Sequence, residues 1–252
     1  MLVLTKAIDI PQLDSFTNYT LTKAIFKSDN SIYFEIVAGD STYRIDSLKF
    51  HWLIKDLCTI EIEIEDRTIL TQKDVIDMWF KNPKNLEILY FFGHKQYTKE
   101  IDESCLSQWY IRSFRVENKV YTSMEQYMMH AKALLFKDIE IAEEIMRKKN
   151  PGEIKRLGRE VKNFNAKIWE RYKYKIVLKG NICKFLYNVD LFNYMESSDV
   201  QIFAEASPYY DIWGIKLSVD KAYDRTPQHW KGRNLLGFAL TDVKSIISKN
   251  IR

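Results

Sequence analysis

The sequence of 252 residues contains few of the residues that form disulfides and metal sites. Its three cysteines, Cys58, Cys105 and Cys183, have no paired spacing, and its four histidines are scattered. An odd number of cysteines without paired spacing argues against a disulfide framework and against a zinc site. We therefore expect no metal and no cofactor, so that any chemistry rests on carboxylates, lysines and hydrogen bonds.

Glycine is scarce, and long apolar runs are missing. The eight glycines form neither a GxGxxG motif nor a Walker loop. No apolar run reaches the roughly 18 residues of a membrane-spanning helix. The first residues, MLVLTKAIDIPQLD, are too short and become acidic too early for a signal peptide. We expect a cytoplasmic protein that has no membrane partner.

The composition is that of a globular protein with an uneven charge distribution. Hydrophobic residues make up 46% of the chain, which is enough for a proper core. Residues 1–90 hold ten basic and 14 acidic residues, whereas residues 91–252 hold 28 and 20. The net charge is therefore −4 in the first part and +8 in the second. The second part is suited to an anionic partner, although a solvated basic surface is an equally simple interpretation.

The segment from Tyr121 to Phe136 predicts a helix that is apolar on almost every side. Ser123 and Gln126 have the spacing of a capping box at its start. Glu125 and Lys132 lie seven residues apart on one face, about 10 Å along the axis, and are too distant to pair as helix neighbours do. Because an unpartnered buried charge is costly, either other segments or a polar ligand must meet these two side chains.

The rest of the pattern predicts an α+β protein with two domains, a strand-rich region at 1–90 and a mainly helical domain at 91–252. Expected elements in the first region are a hairpin over Ser31–Leu48, a second hairpin over residues 59–72 that turns near Asp66, and a short helix at Lys73–Lys81. The second region predicts a strand at Leu86–Phe92, a hairpin around residues 117–119, helices starting at Asp138 and Asn150, a helical region at Asn165–Asn188 with a break near Gly180, a strand at Gln201–Ala206 and a last helix at Asn234–Lys249.

A series of short motifs follows one another through the second region. They are S-Q-W-Y at 107–110, S-M-E-Q-Y-M-M-H-A-K-A at 123–133, L-G-R at 157–159, Trp169, K-F at 184–185, E-A-S-P-Y-Y-D-I-W-G-I at 205–215 and W-K-G-R-N-L-L-G at 230–237. Together, over about residues 91–249, they resemble the NADAR family, which includes the YbiA-like N-glycosidases. Residues 1–90 lie outside the resemblance, and their role as an accessory region is not defined by it.

The resemblance implies a hydrolase that cleaves an N-glycosidic bond to a ribose. Family substrates are ADP-ribose attached to guanine and phosphorylated riboflavin precursors. ADP-ribosylated guanine as the substrate implies that the enzyme reverses nucleic-acid ADP-ribosylation and acts as the antitoxin to an ADP-ribosyltransferase toxin. A module that binds ADP-ribose without cleaving it is the non-enzymatic alternative.

The resemblance also assigns site residues. Glu125, Lys132 and Asp211 are the expected catalytic residues, with Lys132 acting either as an electrostatic clamp or, if its pKa is depressed, as a Schiff-base nucleophile. Asp211 could instead cap the turn that follows it. The expected substrate-binding residues are Ser107, Gln108, Trp109, Arg159, Trp169, Lys184, Glu205, Trp213, Gly214, Trp230 and Asn234.

Overall fold

The computed structural model describes residues 2–5, 18–46, 58, 60–83, 85–97 and 99–250. It is an α+β structure in which helices predominate, as the sequence predicts. The α-helices are α1 (Gln72–Lys81), α2 (Met124–Leu135), α3 (Ile139–Arg147), α4 (Pro151–Arg159), α5 (Ala166–Tyr187), α6 (Val189–Ser197), α7 (Val219–Tyr223) and α8 (Leu235–Asn250). The strands are β1 (Leu2–Thr5), β2 (Asn18–Phe26), β3 (Ile32–Ala38), β4 (Ser41–Asp46), β5 (Glu61–Ile64), β6 (Ile88–Phe91), β7 (Phe114–Val116), β8 (Lys119–Tyr121) and β9 (Ile202–Glu205).

The N-terminal region forms a five-stranded sheet in the order β1-β2-β3-β4, with β5 paired to β2. The predicted hairpin is confirmed as β3 and β4, which pair antiparallel from Tyr33 opposite Asp46 to Ala38 opposite Ser41. Gly39 in its turn has a φ of 58°, a left-handed conformation that glycine adopts without strain. Leu48, at the end of the predicted hairpin, lies outside the described residues.

The second predicted hairpin is wrong. The expected alternation is present in β5, where Ile62 and Ile64 are buried and the glutamates between them are exposed. However, β5 pairs in parallel with β2, placing Glu61 opposite Lys23, and residues 65–70 form no strand. The alternating pattern identified a half-buried strand, but its partner comes from a distant part of the chain.

The second region builds its helices around a short parallel pair of strands. β6 and β9 pair from Ile88 opposite Ile202 to Phe91 opposite Glu205, and α8 packs against β9. The β7–β8 hairpin leads into α2, whose first turn is capped by the Ser123 side chain, which accepts a hydrogen bond from the Gln126 amide. The Gln126 side chain bonds the amide of Thr122 rather than that of Ser123, so the predicted capping box is shifted by one residue.

Helix α5 is continuous through Gly180, where the sequence suggested a break. A Cβ at this position would lie 2.4 Å from Cδ1 of Tyr127 on α2, so the glycine allows the two helices to approach closely. Gly180 is thus a packing residue within an intact helix.

We expect Gly180→Ala to lower the free energy of unfolding by about 1–2 kcal/mol. Because the added Cβ would lie only 2.4 Å from the buried Tyr127 ring, the overpacking penalty should be in the upper part of its usual range, at about 2–3 kcal/mol, and so exceed the gain of about 1 kcal/mol in helix propensity. Urea denaturation checks this value. Gly152→Ala, on α4, is the comparison: its Cβ would lie 3.0 Å from the capping oxygen of Asn150 and 3.8 Å from the Trp109 ring, so the overpacking and the loss of stability should be smaller. Equal stability of wild type and Gly180→Ala would contradict the packing role.

The two predicted domains contact one another. Arg67 forms an ion pair with Asp242 of α8 at 3.1 Å, and the Gln72 side chain donates to the carbonyl of Pro227 at 2.8 Å. The Cys58 thiol lies 3.6 Å from the carbonyl oxygen of Cys183. The division near residue 90 stays a prediction, and these contacts are the ones that separation of the two parts would remove.

Among the described residues, no helix combines the length and apolar character needed to cross a membrane. The same residues contain no group of three or more histidine, cysteine, aspartate or glutamate side chains arranged to hold a metal ion. The three cysteines are buried free thiols.

Candidate active site

A cavity of about 390 Å³ lies where α2, α4, the segment around Trp109 and the end of β9 meet. Its walls are largely aromatic, and its charged residues come from three different elements. The aromatic lining consists of Phe92, His94, Trp109, Tyr209, Tyr210 and Trp213. The charged lining consists of Glu125, Lys132, Lys155, Arg159 and Glu205. A concave apolar site with a few convergent charged groups is the usual form of a small-molecule or catalytic site.

Glu125 projects into this cavity from the first turn of α2 and is 3% exposed. Burial raises the pKa of its carboxyl from 4.5 to about 7, because removal from water penalises the charged form. Lys155, a hydrogen bond from the Trp109 side chain, and the more distant Arg159 and Lys132 act in the opposite direction. The carboxyl is therefore able to change protonation state near neutral pH.

Glu205, at the end of β9, supplies a second buried carboxyl to the cavity. Its pKa is also raised to about 7, mainly by burial and also by the negative charge of Glu125, while Lys155 lowers it. The Asn234 side chain holds the Glu205 backbone amide at 3.0 Å. A Cβ on Gly214 would lie 2.6 Å from the Glu205 carbonyl oxygen, so this glycine permits the loop to pack against the carboxyl-bearing residue.

Three polar atoms of residues that line the cavity are buried and have no hydrogen-bond partner among the described residues. They are Oε1 of Gln108, Oε1 of Glu125 and Oε2 of Glu205. Each such atom costs free energy unless it is bonded. Their convergence on one cavity indicates a site that a ligand or a reacting water completes.

Lys155 is the central cation of the cavity and was missed in the sequence. Its ammonium donates to the Tyr210 hydroxyl at 2.9 Å and lies 4.2 Å from the centre of that ring and 5.5 Å from the Trp109 ring. Its positive charge lowers the pKa of both Glu125 and Glu205, so it interacts electrostatically with both carboxyls. The available signal was its spacing of four residues before Arg159, which puts both on one side of α4.

Lys132 lines the cavity but does not pair with a carboxylate. Its ammonium donates to the carbonyl of Gly158 at 2.6 Å and lies 4.4 Å from the centre of the Phe164 ring. Burial lowers its pKa below the ordinary value, whereas Glu125 acts to raise it. A lysine with a depressed pKa has a larger fraction of neutral amine, which is the nucleophilic form.

The structure brings eight of the predicted site residues together around the cavity. These are Ser107, Gln108, Trp109, Glu125, Lys132, Arg159, Glu205 and Trp213. Trp169 lies behind this set, with its ring centre 5.8 Å from the Lys132 ammonium. Trp230 is 4% exposed and packs edge-on against Tyr90 in the core, at 6.3 Å between ring centres.

Asp211 is placed differently from the sequence-based expectation. Its side chain is 62% exposed and lies 3.8 Å from the Lys216 ammonium, outside the cavity lining. Its backbone carbonyl accepts a hydrogen bond from the Arg233 amide at 2.6 Å. The second carboxyl beside Glu125 is Glu205, which the sequence analysis had assigned to substrate binding.

Lys184 and Asn234 support the site from within the core. Lys184 is fully buried and donates to the carbonyls of Cys105 and Ser107 at 2.5 and 3.1 Å, so it fixes the segment leading to Trp109 rather than facing a phosphate. Burial lowers its pKa to about 8. Asn234 donates to Phe203 and accepts from Glu205, and thereby fixes the end of β9.

The aromatic residues that sequence reasoning missed lie at the mouth of the cavity. Phe92 and Tyr209 are 46% and 77% exposed, with ring centres 6.4 Å apart. His94 lies 5.5 Å from the Trp109 ring. For Tyr209 and Tyr210 the sequence contains a feature that could have identified them, because they are the paired tyrosines within the motif at 205–215.

The fold and the cavity define an α+β protein whose ligand site contains two buried carboxyls within aromatic walls. The chain belongs to the NADAR family, since residues 90–248 match the NADAR domain. This match includes every residue that lines the cavity.

Proteins similar to this chain include two curated proteins and a solved structure. An N-glycosidase of Acanthamoeba polyphaga mimivirus is 38% identical over 160 residues, which cover 62% of this chain and 94% of the viral protein. The protein irg-1 of Caenorhabditis elegans is 36% identical over 128 residues, covering 49% of this chain and 59% of irg-1. The NMR structure of E. coli YbiA aligns with a TM-score of 0.50 and 23% identity over 65% of this chain and 86% of YbiA, which shows that the fold is shared.

Proposed function

We propose that this protein is an N-glycosidase that hydrolyses the bond between ADP-ribose and a guanine base. The observation that carries the proposal is the pair of buried carboxyls, Glu125 and Glu205, whose pKa values are both raised to about 7 within one cavity. Membership of the NADAR family and similarity to a viral N-glycosidase support the reaction class.

The charges and walls of the cavity suit such a substrate. Lys132, Lys155 and Arg159 place three cations around a site with two carboxyls, which suits the negative charge of a diphosphate. Arg159 is exposed at the rim, where a phosphate could be reached. Aromatic rings such as Trp109 and Trp213 provide flat surfaces for a base.

The two carboxyls can divide the acid and base roles. Cleavage of the ribose C1–N bond leaves the electron pair on the base nitrogen and develops positive charge on the sugar. One carboxyl, protonated, donates its proton to the departing guanine, while the other, ionised, faces the developing cation and takes a proton from the attacking water. Because both groups titrate near pH 7 and repel each other when charged, the pair holds a single proton near neutrality.

Lys132 has two possible roles in this reaction. As an ammonium it binds an anionic oxygen of the substrate. As a neutral amine it adds to C1 of the ring-opened sugar, the C1–N bond to guanine breaks, and guanine leaves with a proton. Water then hydrolyses the resulting lysine imine, which restores the amine and releases ADP-ribose. Its depressed pKa and its position in the cavity are compatible with the second role.

We expect borohydride reduction during turnover to attach ADP-ribose covalently to Lys132. Reduction converts the imine into a stable secondary amine, which intact-mass measurement and peptide mapping detect. Lys132→Arg keeps the charge but cannot form the imine, so it should lose at least about 100-fold in turnover. Lys155→Arg is the matched control for loss of a cavity lysine and should still form the adduct.

If no adduct forms and Lys132→Arg retains most of its activity, the covalent route is excluded. Lys132 would then act as an electrostatic clamp, which an arginine can replace.

The substrate assignment is tested by incubating the protein with an oligonucleotide that carries ADP-ribosylated guanine. Release of free ADP-ribose and restoration of unmodified guanine are expected. A phosphorylated riboflavin precursor, run in parallel, tests the alternative small-molecule substrate. Tight binding of ADP-ribose by calorimetry, with both substrates left intact, would instead identify a non-catalytic binding module and contradict the proposal.

The biological role that follows is reversal of guanine ADP-ribosylation in nucleic acid. As part of this proposal, a cognate ADP-ribosyltransferase supplies the modified base, and the protein acts as its antitoxin. Co-expression with such a transferase should restore growth for the wild type and fail to do so for Glu125→Gln.

A further inference from the structure

The first half of α5 and the turn before it form an exposed strip with apolar residues at regular spacing. Residues 162–168 and 170–172 are all exposed. Among them are Phe164, Ile168 and Tyr172, which are 47%, 42% and 39% exposed and lie four residues apart. Within the helix this spacing places successive side chains on one side at intervals of about 6 Å. Clustered exposed apolar side chains of this kind usually mark a binding surface.

The strip is also basic. Residues 162–175 contain five lysines and arginines and one acidic residue, Glu170. Lys162 pairs with Glu140 at 3.0 Å, Lys175 pairs with Asp66 at 2.5 Å, and Lys173 is buried, so Lys167 and Arg171 carry the exposed positive charge of the strip. The Glu170 carboxylate is bonded by Lys173 at 2.5 Å and by Arg233 at 2.6 Å, so its charge is offset locally. Arg171 lies over the Tyr172 ring at 5.7 Å. The surface therefore alternates flat or apolar groups with cations.

The strip continues into the cavity. The Phe164 ring lies 4.4 Å from the ammonium of Lys132, which lines the cavity. Further along α5, the Lys173 ammonium lies 5.9 Å from the ring of Trp213, which also lines the cavity. A ligand lying along the strip would thus reach the mouth of the site.

We propose that this strip, formed by Phe164, Lys167, Ile168, Arg171 and Tyr172, binds single-stranded nucleic acid next to the modified base. The proposal deepens the proposed function and rests on it for the identity of the base that enters the cavity. A single strand presents phosphates to the cations and unpaired bases to the exposed rings, and these are the two contacts through which proteins hold single strands. The inferred substrate is accordingly a modified base within a strand, whereas a free modified nucleoside enters the cavity without the contacts of the strip.

The interleaved cations favour a polyanion over a second protein as occupant. The central part of a protein–protein interface is depleted of charged residues, especially lysine. Here Lys167, the residue type that such interfaces lack, lies between Phe164 and Ile168 in the sequence. We therefore do not expect a second copy of the chain to occupy the strip, and the experiment below is designed to detect one if it does.

The binding test uses the full chain and a fluorescein-labelled, unmodified oligothymidylate of about 12 nucleotides in fluorescence anisotropy. Wild type should bind with an affinity that falls as salt rises. The double variant Lys167→Glu/Arg171→Glu should bind at least about tenfold more weakly, with the log–log salt slope reduced by about 0.7 for each lost phosphate contact. Tyr172→Ser should weaken binding about fivefold or more through loss of one stacked base.

The matched control is Lys73→Glu/Lys81→Glu on α1, which also reverses the charge of two exposed cations, and neither lysine lines the cavity. It should bind the strand as wild type does.

The strip variants should also separate two substrates in a kinetic test. On ADP-ribosylated guanosine, they should keep kcat/KM within about twofold of wild type, whereas on a modified oligonucleotide their kcat/KM should fall about tenfold.

Failure of wild type to bind the strand, or equal binding by wild type and the strip variants, would overturn the inference. The inference would also be overturned if light scattering showed that wild type is a dimer and that the strip variants are monomers, while the affinity for the strand is the same in both. Because the binding assay uses an unmodified strand, it gives a result even if the proposed hydrolysis is not observed.

Discussion

Glu125→Gln should reduce turnover of ADP-ribosylated guanine by at least about 100-fold while the protein stays folded. The loss is expected because an amide can neither donate nor accept the proton that general acid–base catalysis requires. Glutamine keeps the size of the side chain, so ADP-ribose should still bind. Steady-state kinetics together with calorimetry on free ADP-ribose measure the two effects separately.

The same substitution should stabilise the protein at alkaline pH. The folded-state pKa of about 7 lies above the ordinary 4.5, so the carboxyl contributes no penalty below about pH 4.5. The penalty grows as the pH rises from about 4.5 to about 7 and stays constant above that, where the carboxyl is ionised in both the folded and the unfolded state. Glu125→Gln removes this penalty and should raise the free energy of unfolding by about 1–3 kcal/mol at pH 9, with little change at pH 4.

Glu143→Gln is the control, since this glutamate lies on α3 with a side chain 64% exposed. It should change neither activity nor stability appreciably. Full turnover by Glu125→Gln would remove this residue from the mechanism, whatever its effect on stability.

Glu205→Gln should cause a loss of similar size, at least about 100-fold, because the mechanism requires the second carboxyl. Asp211→Asn is the informative comparison. Asp211 belongs to the same motif at 205–215 but has an exposed side chain near Lys216, so its substitution should leave turnover within about twofold of wild type.

The reverse result would reassign the second carboxyl. A large loss in Asp211→Asn with an active Glu205→Gln would show that the 205–215 loop changes conformation when substrate binds. The residue predicted from the motif would then be the catalytic one.

The elements with strong local signals could be predicted from the sequence. The start of α2 follows from the Ser123 cap, and the strand at β5 follows from alternation of isoleucine and glutamate. Partners distant in the chain could not be predicted in this way. The pairing of β5 with β2 and the close contact of Gly180 with Tyr127 depend on tertiary packing that no local pattern encodes.

In the candidate site, too, residues with a local signal could be predicted, and residues whose role depends on tertiary packing could not. The charge of Glu125 on an apolar helix was a sound local signal, because a buried carboxylate requires either a partner or a function. The motif at 205–215 offered two carboxylates and could not show which one faces the cavity. The local signal for Lys155 was weak, since it consisted only of the helical spacing to Arg159. The importance of Lys155 became visible when α4 placed it in the cavity beside two aromatic rings, where it lowers the pKa of both carboxyls.

The pH dependence of kcat, measured on ADP-ribosylated guanosine between pH 4.5 and 9.5, tests the role of the carboxyl pair most directly. Glu125 and Glu205 should carry one shared proton near neutrality, so the rate should pass through a maximum near pH 7. It should fall on the acid side as both carboxyls become protonated and on the alkaline side as both ionise. A rate that rises to a plateau by about pH 5.5 and stays flat to pH 9 would show carboxylates with ordinary pKa values and would contradict the assignment.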